Sequence, residues 1–357
     1  MPWPFRSGGK WASVPAFLPR PLRKSIPLSG PLRTFRSLRR LLIGLLLLAI
    51  VPTGGNARTG WRAHALVVNS LGGALGAAQD KAFFRPFAAQ MKVGILRYVW
   101  DGDPQPAARQ GSGGRAWTVA LMEDSTARAA CMQGVLLRLG GAPGSADACG
   151  VPALREGIAL AWDRGRIPVA PHWSDFWNVV RYPGKRGLRK DPRSTLEIAL
   201  MADGVAPADV YAVLATPDGV ARAFRKLSQL RPYIEWWTSP AESARIIGNG
   251  SVLMTSAVGG EVAAAGSGQR DVGLQWEQSL DDGLSWGVAP DLDHATRDRA
   301  RSLLHFMAQP EQVARFASLY HARPDAQSVQ PLPMDAAFWQ EHLPDLSRRF
   351  ADWLAVP

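Results

Sequence analysis

The chain has 357 residues, of which 46% are hydrophobic and 20% are charged, a composition that excludes a wholly disordered or collagen-like protein. The net charge of +11 is concentrated at the start, because residues 1–40 contain nine basic residues and no acid, which leaves 32 basic residues against 30 acids in the rest. A nucleic-acid-binding surface needs basic residues on the folded domain, so we expect no nucleic-acid partner.

Residues 1–57 are predicted to form a basic leader and signal peptide. An uncharged apolar run of 11 residues, 41–51, follows two adjacent arginines and precedes a stretch of small residues that ends at Ala57. The run is too short for a membrane-spanning helix, which needs roughly 20 residues, and the three-part order is typical of a secretory signal. We predict cleavage after Ala57 and a periplasmic protein that begins at Arg58. An uncleaved anchor or a buried core helix is the alternative, and the route, Sec or twin-arginine, stays open.

The first part of the exported chain alternates between strand and helix patterns, which is typical of an α/β sheet. Residues 65–68 form a short apolar run that predicts a strand, and a glycine-rich turn follows at 69–76. The next strand is predicted at 117–121, after a loose loop at 105–115. The helix between the two strands is predicted from an apolar face made of Phe83, Phe84, Phe87 and Met91.

Three helix starts are recognisable in the middle of the chain. Ser194 stands three residues before Glu197, which is the spacing of a capping box. Thr216 and Ser239 each precede a proline, an arrangement that places a cap and then proline at the first helical position.

The last third is predicted to contain short strands and then helices. The strands are expected at 251–256, 272–276 and 286–289. Helices are expected over the last 60 residues because apolar residues recur there at helical spacing. The three stripes are Ala300, Leu303, Leu304 and Met307; then Val313, Phe316, Ala317 and Tyr320; then Leu346, Phe350, Trp353 and Leu354.

A search for catalytic and metal-binding motifs gives no support for an enzyme. The chain has no serine with glycine at both −2 and +2 and no HExxH, and its six histidines are scattered without ligand spacing. Glu123 and Asp124 are the one acid pair at a predicted strand end, where α/β sheets hold ligands. Cys131 and Cys149 are an even pair in an exported chain and predict a disulfide, with two buried free thiols as the alternative.

Three segments carry a more specific pattern: WSDFWNVV at 173–180, YPGKRGL at 182–188 and STLEIALMADGV at 194–205. They resemble the solute-binding proteins of ABC transporters, in the spermidine/putrescine class. Further agreement is found at 66–70, 72–73, 149–151, 252–257, 338–339 and 349–354. The resemblance covers roughly residues 64–357.

The resemblance implies a two-lobed periplasmic binding protein fold of type II, with an α/β sheet in each lobe, two crossovers between the lobes and helices at the C-terminus. Lobe 1 is expected to comprise 58–158 plus 285–323, and lobe 2 to comprise 159–284 plus 324–357. A small-molecule solute would bind in the inter-lobe cleft and close it by hinge motion. The closed form would dock on the membrane permease subunits of an ABC importer. We expect a monomer without a cofactor or metal.

The resemblance also implies which residues line the cleft. The predicted ligand-binding residues are Ser70, Leu71, Leu75, Glu123, Asp124, Ser125, Asp191, Arg193, Ser194, Ser256, Val258 and Ser285. Several depart from the polyamine pattern: leucine or valine stands at 71, 75 and 258 where the family has aromatic residues, and serine replaces an acid at 194 and 285. Polyamine recognition needs aromatic faces over methylenes and carboxylates for the ammonium ends.

Three functions follow from these observations. The first is an exported receptor of an ABC importer that binds a small organic cation resembling a polyamine. The alternative is a degenerate family member with an altered cleft, which binds another solute or acts as a sensor or interaction protein. A periplasmic enzyme on the same scaffold is the third, and the missing catalytic motifs argue against it.

Overall fold

A computed structural model describes residues 65–104, 117–140, 148–266, 270–321 and 331–356 of the chain. The predicted leader at 1–57 and the predicted loop at 105–115 lie outside these residues. None of the helices in the described ranges combines the length and the apolar character needed to cross a bilayer.

Strands and helices alternate along the chain. The strands are β1 Leu66–Ser70, β2 Ile95–Val99, β3 Val119–Glu123, β4 Val151–Asp163, β5 Arg186–Arg189, β6 Ile234–Trp237, β7 Met254–Val258, β8 Val272–Val288 and β9 Leu332–Pro333. The helices of the first half are α1 Gly73–Gln79, a π-helical turn Asp80–Phe84, α2 Arg85–Met91, α3 Asp124–Met132, α4 Trp173–Trp177 and α5 Pro192–Ala202. Those of the second half are α6 Val210–Leu214, α7 Pro217–Ser228, α8 Pro240–Gly248, α9 Gly259–Ala265, α10 His294–Met307, α11 Pro310–Ala317 and α12 Ala336–Ala355, with 3₁₀ turns at Pro207–Asp209 and Arg231–Tyr233.

The nine strands form one mixed sheet in the order β2-β1-β3-β8-β4-β7-β5-β6, with β9 beside β8. β1 pairs in parallel with β2 and β3, and β5 pairs in parallel with β6 and β7. The long strands β4 and β8 are antiparallel to each other and lie between these two parallel groups. The chain therefore crosses from one parallel group to the other along β4 and returns along β8.

Each half of the sheet has its own hydrophobic core, and the two halves are the two lobes. In the first lobe, α1, α2, α10 and α11 cover one face of β1–β3, and α3 covers the other. In the second lobe, α5, α7 and α12 cover one face of β5–β7, and α8 and α9 cover the other. The long strands belong to both cores: Leu160 of β4 packs in the second lobe, whereas Trp286 of β8 packs in the first.

Most of the predicted helix signals are confirmed. The Thr216 side chain accepts from the backbone N–H of Gly219 and starts α7, and Ser239 accepts from Glu242 and starts α8. Three C-terminal helices occur where the apolar stripes predict them.

The predicted capping box at Ser194 is wrong. Asp191 caps α5 instead, because its carboxylate accepts the backbone N–H of Arg193. Ser194 has a positive φ of 64° inside a kink of the helix, and its side chain is completely buried. Glu197 is also buried and accepts bonds from Trp339 and Tyr211 instead of reaching back to a cap.

The strand predictions at 272–276 and 286–289 are corrected to one strand, because β8 runs without interruption for 17 residues. The polar residues between the two apolar stretches pair with β4, so long-range pairing overrides the local pattern. The strand predicted at 251–256 begins at Met254 and ends at Val258.

Cys131 of α3 and Cys149 form a disulfide bond, as predicted. Both side chains are buried in the core of the first lobe, on the face of the sheet that α3 covers. The bond ties the end of α3 to the segment that enters β4.

Candidate functional site

The carboxyl ends of the parallel strands of both lobes face a cavity of about 300 Å³, called the first cavity below. This is the edge at which α/β sheets bind ligands. The first lobe contributes the ends of β1, β2 and β3, and the second contributes the ends of β5, β6 and β7. β4 and β8 form the floor through Glu156, Ile158, Asp282 and Leu284.

Apolar and aromatic side chains make up much of the wall. Leu71 and Leu75 come from the turn after β1 and from α1, and Val258 is the last residue of β7. Two tryptophans also line the cavity: Trp100 donates to the carbonyl of Leu121, and the buried Trp237 donates to the Ser256 hydroxyl. Both rings are therefore fixed by hydrogen bonds at their indole nitrogens, and they supply the aromatic surface that residues 71, 75 and 258 lack.

Two arginines of the second lobe reach across the cleft to Glu123 of the first lobe. The Nη2 atom of Arg189, at the end of β5, lies 2.5 Å from Oε1 of Glu123. The Nη1 atom of Arg193 contacts Oε2 of the same carboxylate. Arg193 also donates to the Thr126 hydroxyl of α3 at 2.9 Å. These contacts join the two lobes directly over the cavity.

Arg193 is held more firmly than Arg189. Its Nε and Nη2 donate to the two carboxylate oxygens of Asp191 at 2.9 and 2.7 Å, whereas Arg189 approaches Asp191 only to 3.8 Å. Burial works to raise the pKa of Asp191, but Arg193 and Arg189 outweigh it and lower that pKa to about 2. Burial likewise works to lower the pKa values of both arginines, and Asp191 and Glu123 raise them instead. Asp191 and the two arginines are therefore charged at neutral pH.

Two carboxylates face each other on the cavity floor. Glu156 of β4 is the register partner of Asp282 of β8, so both side chains lie on the same face of the sheet. They are only 5% and 7% exposed, and both line the cavity. Burial and the neighbouring Glu123 raise the pKa of Asp282 well above its ordinary value. Asp282 is also influenced by Arg189 and Arg193, so it lies at the arginine side of the floor.

Glu156 lies in a different environment. Its Oε2 accepts the Tyr320 hydroxyl at 3.0 Å, while Oε1 has no hydrogen-bond partner among the described residues although it is buried. Burial raises the pKa of Glu156 to about 8, and the nearby Glu261 adds to this effect, whereas the Tyr320 hydroxyl and the backbone N–H of Gly260 only partly offset it. On the floor of the cavity, Oε1 of Glu156 is therefore available as a hydrogen-bond acceptor, and the charge of this carboxyl group depends on pH near neutrality.

Glu261 connects the lobes on this side of the cavity. From α9 it accepts the backbone N–H groups of Ala74 and Leu75, each at 2.9 Å, at the start of α1 in the first lobe. Gly73 has a positive φ of 62°, and a Cβ there would collide with the Glu261 carboxylate. The glycine thus allows the close approach that ties α1 to α9.

A second cavity of about 610 Å³ adjoins the first. The two share the lining residues Asp101, Gly102, Thr126, Arg189, Arg193 and Thr238. Its other walls are α3 and α12, whose residues Arg128 and Gln340 are joined by a hydrogen bond of 3.3 Å. No group of three or more residues in the described ranges is arranged to hold a metal ion.

Six of the predicted binding residues lie at the cavities. Leu71, Leu75, Glu123, Arg193 and Val258 line the first, and Asp191 and Arg193 line the second. Their contact with a ligand stays a prediction.

The other six predicted binding residues line neither cavity: Ser70, Asp124, Ser125, Ser194, Ser256 and Ser285. The structure shows what most of these side chains do instead. The Ser70 hydroxyl donates to Gln79, and the Ser285 hydroxyl donates to Asp124 at 2.7 Å. Ser256 accepts from Trp237, and Ser125 and Ser194 are buried.

Among the residues of the first cavity that the sequence-based site omits are Trp100 and the four residues Glu156, Arg189, Trp237 and Asp282. Arg189 lies four residues before Arg193 and two before Asp191, so the charged run 189–193 is the signal that could have indicated it. Glu156 and Asp282 are 126 residues apart and meet only through the pairing of β4 with β8.

Comparison with known proteins gives consistent results. The family described as bacterial extracellular solute-binding protein matches residues 88–344. A gamma-aminobutyric acid (GABA)-binding protein of Pseudomonas aeruginosa is 33% identical over an alignment of 325 residues, which covers 82% of this chain and 92% of that protein.

Two solved structures have the same fold. The periplasmic binding protein MotA from Agrobacterium tumefaciens B6, in complex with glucopine, has a TM-score of 0.72 and 23% identity, covering 81% of this chain and 99% of its own. An ABC transporter substrate-binding protein from Bradyrhizobium japonicum has a TM-score of 0.67 and 27% identity, and the match covers 82% of this chain and 99% of that one. The predicted two-lobed α/β fold is confirmed, whereas the polyamine class stays a prediction.

Proposed function

The chain belongs to the family of bacterial extracellular solute-binding proteins, and we propose that the solute in its first cavity is an ω-amino acid of the GABA type. As a member of that family it is the substrate-binding receptor of an ABC importer and not an enzyme. The observation that carries the proposal is the presence of two arginines at one side of the cavity and, on its floor, a buried carboxylate with one oxygen that has no hydrogen-bond partner among the described residues.

The arginine side suits a carboxylate. Arg193 is engaged through all three guanidinium nitrogens with Asp191 and Thr126, so it serves as a fixed positive charge. Arg189 has one close partner, Glu123, and is better able to exchange it for a ligand carboxylate. Arginine and carboxylate form charge-assisted and often bidentate bonds, which gives the ligand a defined orientation.

The floor suits an ammonium group. Glu156 lines the cavity and has a buried Oε1 without a hydrogen-bond partner among the described residues, and Asp282 stands opposite on the neighbouring strand. A buried carboxylate oxygen without a hydrogen-bond partner costs free energy, so a ligand cation that supplies the missing hydrogen bond is stabilised there. The Tyr320 hydroxyl donates a hydrogen bond to the other oxygen, Oε2, and so holds the Glu156 carboxylate in place.

The space between these groups suits a short methylene chain. Leu75, Val258 and Leu284 give it apolar walls, and Trp100 and Trp237 add ring faces. The 33% identity with a GABA-binding protein supports the same solute class independently of the geometry.

A polyamine is the second candidate. The carboxylates of Glu156 and Asp282 and the two cavity tryptophans are the residue types that hold ammonium groups and methylenes. Arg189 and Arg193 argue against it, because a solute with two cationic ends would place one of them near two guanidinium groups.

Isothermal titration calorimetry distinguishes these solutes. The purified protein, unfolded and refolded to remove carried-over solute, is titrated with GABA, putrescine, butyrate and butylamine. We expect GABA to bind, and butyrate and butylamine, which each lack one charged end, to bind at least about 100-fold more weakly, because each lost charge-assisted bond costs a few kcal/mol. Equal or tighter binding of putrescine would replace the proposed solute by a polyamine.

Two variants test the assigned residues. Glu156→Gln keeps the size of the side chain and removes its charge, and it is expected to weaken GABA binding at least about 10-fold. Glu277→Gln is the matched control, because Glu277 is exposed on the same strand as Asp282. An unchanged affinity in the first variant would remove Glu156 from the ligand site.

Closure of the cleft and export remain parts of the proposal. The lobe bounds 58–158 plus 285–323 and 159–284 plus 324–357 are supported by the two long strands and the separate cores. Export through the 1–57 leader predicts that N-terminal sequencing of the periplasmic protein begins at Arg58. A first residue upstream of 41 would contradict the signal peptide. Gel filtration at the mass of one chain is expected for a monomer.

A further inference from the structure

The second cavity is about twice as large as the first, and a GABA molecule in the first cavity would leave it unused. The two cavities meet at Arg189 and Arg193, which line both. A carboxylate bound by Arg189 therefore sits at the junction, and a group attached to the carbon next to that carboxylate has direct access to the second cavity.

The lining of the second cavity combines apolar residues, among them Ala129, Ala130 and Leu343, with polar and charged ones. Asp101, Asp103 and Lys190 contribute charges of both signs, and Gln340 and Ser347 of α12 contribute neutral polar groups. Because both signs are present, the lining suits a neutral or hydroxylated polar group better than an apolar one.

The second cavity is bounded by both lobes. α3 of the first lobe, the Arg189–Arg193 segment of the second lobe and the C-terminal helix α12 all contribute to its walls. A ligand group in this space would contact elements that approach each other when the cleft closes, so its binding would add to the free energy of closure.

We propose that the natural solute is an ω-amino acid that carries a further polar group on the carbon next to its carboxylate, and that the second cavity binds this group. The inference rests on the proposed function, because it takes the ammonium at Glu156 and the carboxylate at Arg189 as the anchors.

The test compares two ligands with the same chain. 5-Aminovalerate has no side group, whereas Nα-acetylornithine is the same ω-amino acid with an acetylamino group on the α-carbon. Both are titrated into the wild-type protein by calorimetry. We expect Nα-acetylornithine to bind at least about 10-fold more tightly, because its side group makes hydrogen bonds that 5-aminovalerate lacks.

A variant that fills the second cavity identifies where the gain arises. Ser347→Trp replaces an exposed residue of α12 in the cavity wall, and Ser302→Trp on α10 is the matched control away from the cleft. The first variant is expected to remove the advantage of Nα-acetylornithine and to leave 5-aminovalerate binding unchanged, which also shows that the variant is folded. The control variant Ser302→Trp is expected to change neither the affinity for 5-aminovalerate nor the advantage of Nα-acetylornithine.

The outcomes separate this inference from the proposed function. If 5-aminovalerate binds and the acetylamino group gives no advantage, or if the advantage survives Ser347→Trp, the inference is overturned and the second cavity is only a solvent-filled entrance. If GABA binds and neither five-carbon ligand does, the inference is overturned and the proposed function stands; if GABA does not bind either, the proposed function fails and the inference fails with it.

Discussion

The affinity for GABA is expected to rise with pH between 6 and 8. Glu156 has a pKa of about 8 in the ligand-free protein, so it is mostly protonated at pH 7. A ligand ammonium binds the ionised carboxylate, and binding must therefore release the proton. The groups around Glu156 are Tyr320, Glu261, Asp282 and the backbone N–H of Gly260, and none of them carries a positive charge that would ionise it beforehand.

The size of the effect follows from the pKa. Ionising Glu156 at one pH unit below its pKa costs about 1.4 kcal/mol, and each further unit costs the same again. The dissociation constant is therefore expected to fall about 50-fold from pH 6 to pH 8. The ligand itself does not titrate in this range, because carboxyl groups have pKa values near 4 and aliphatic ammonium groups near 10.

Calorimetry over this pH range measures the effect directly. Titrations at pH 7 in buffers of different ionisation enthalpy also measure how many protons are released on binding. We expect nearly one proton to be released for each GABA molecule bound. The Glu156→Gln variant is expected to bind weakly and with a much smaller dependence on pH. An affinity that is constant from pH 6 to 8 in the wild-type protein would refute the assignment of the ammonium to Glu156.

Three further changes test other parts of the structure. Glu197→Gln is expected to stabilise the protein by up to about 3 kcal/mol at pH 8 and little at pH 4.5. Burial raises the pKa of Glu197 to about 7, so ionisation at higher pH favours the unfolded state. Urea denaturation at both pH values measures this, and an equal change in the free energy of unfolding at the two pH values would contradict it. Glu123→Gln removes the charge that joins the lobes over the cavity, so the ligand-free variant should show a larger radius of gyration by X-ray scattering, while unchanged scattering would show that the pairs do not hold the cleft closed. Replacing Cys131 and Cys149 by serine should lower the free energy of unfolding by about 3 kcal/mol and leave GABA affinity intact, and a loss of binding would instead link the disulfide to the site.

Local sequence signals were sufficient for many of the helices. Thr216 and Ser239 each combine a capping side chain with a following proline, which fixes the start of α7 and α8 without help from the rest of the fold. The same kind of reasoning failed at Ser194, because Asp191 two residues before Arg193 is a better cap and also holds the arginine side chain.

The long strands could not be predicted from local patterns. β4 contains Pro152, Arg155 and Glu156, and the middle of β8 contains Asp281 and Asp282, all of which disfavour a strand locally. Each strand is stabilised by pairing with the other over most of its length. The floor of the site was missed for this reason, since its two carboxylates exist as a pair only after the two strands have met.

The family resemblance predicted the position of the cleft but not its chemistry. Leu71, Leu75 and Val258 line the first cavity, as expected from the matched segments. The aromatic surface comes instead from Trp100 and Trp237, at the ends of strands that carry no recognisable motif. The apolar residues at 71, 75 and 258 therefore indicate that the aromatic residues of the site have moved to other positions, not that the site lacks them.

A crystal structure of the GABA complex is the most direct test of the account. We expect the ligand nitrogen to lie about 2.8 Å from Glu156 Oε1 and the ligand carboxylate to be bound by Arg189. A ligand with its ends reversed, or bound outside the first cavity, would contradict it.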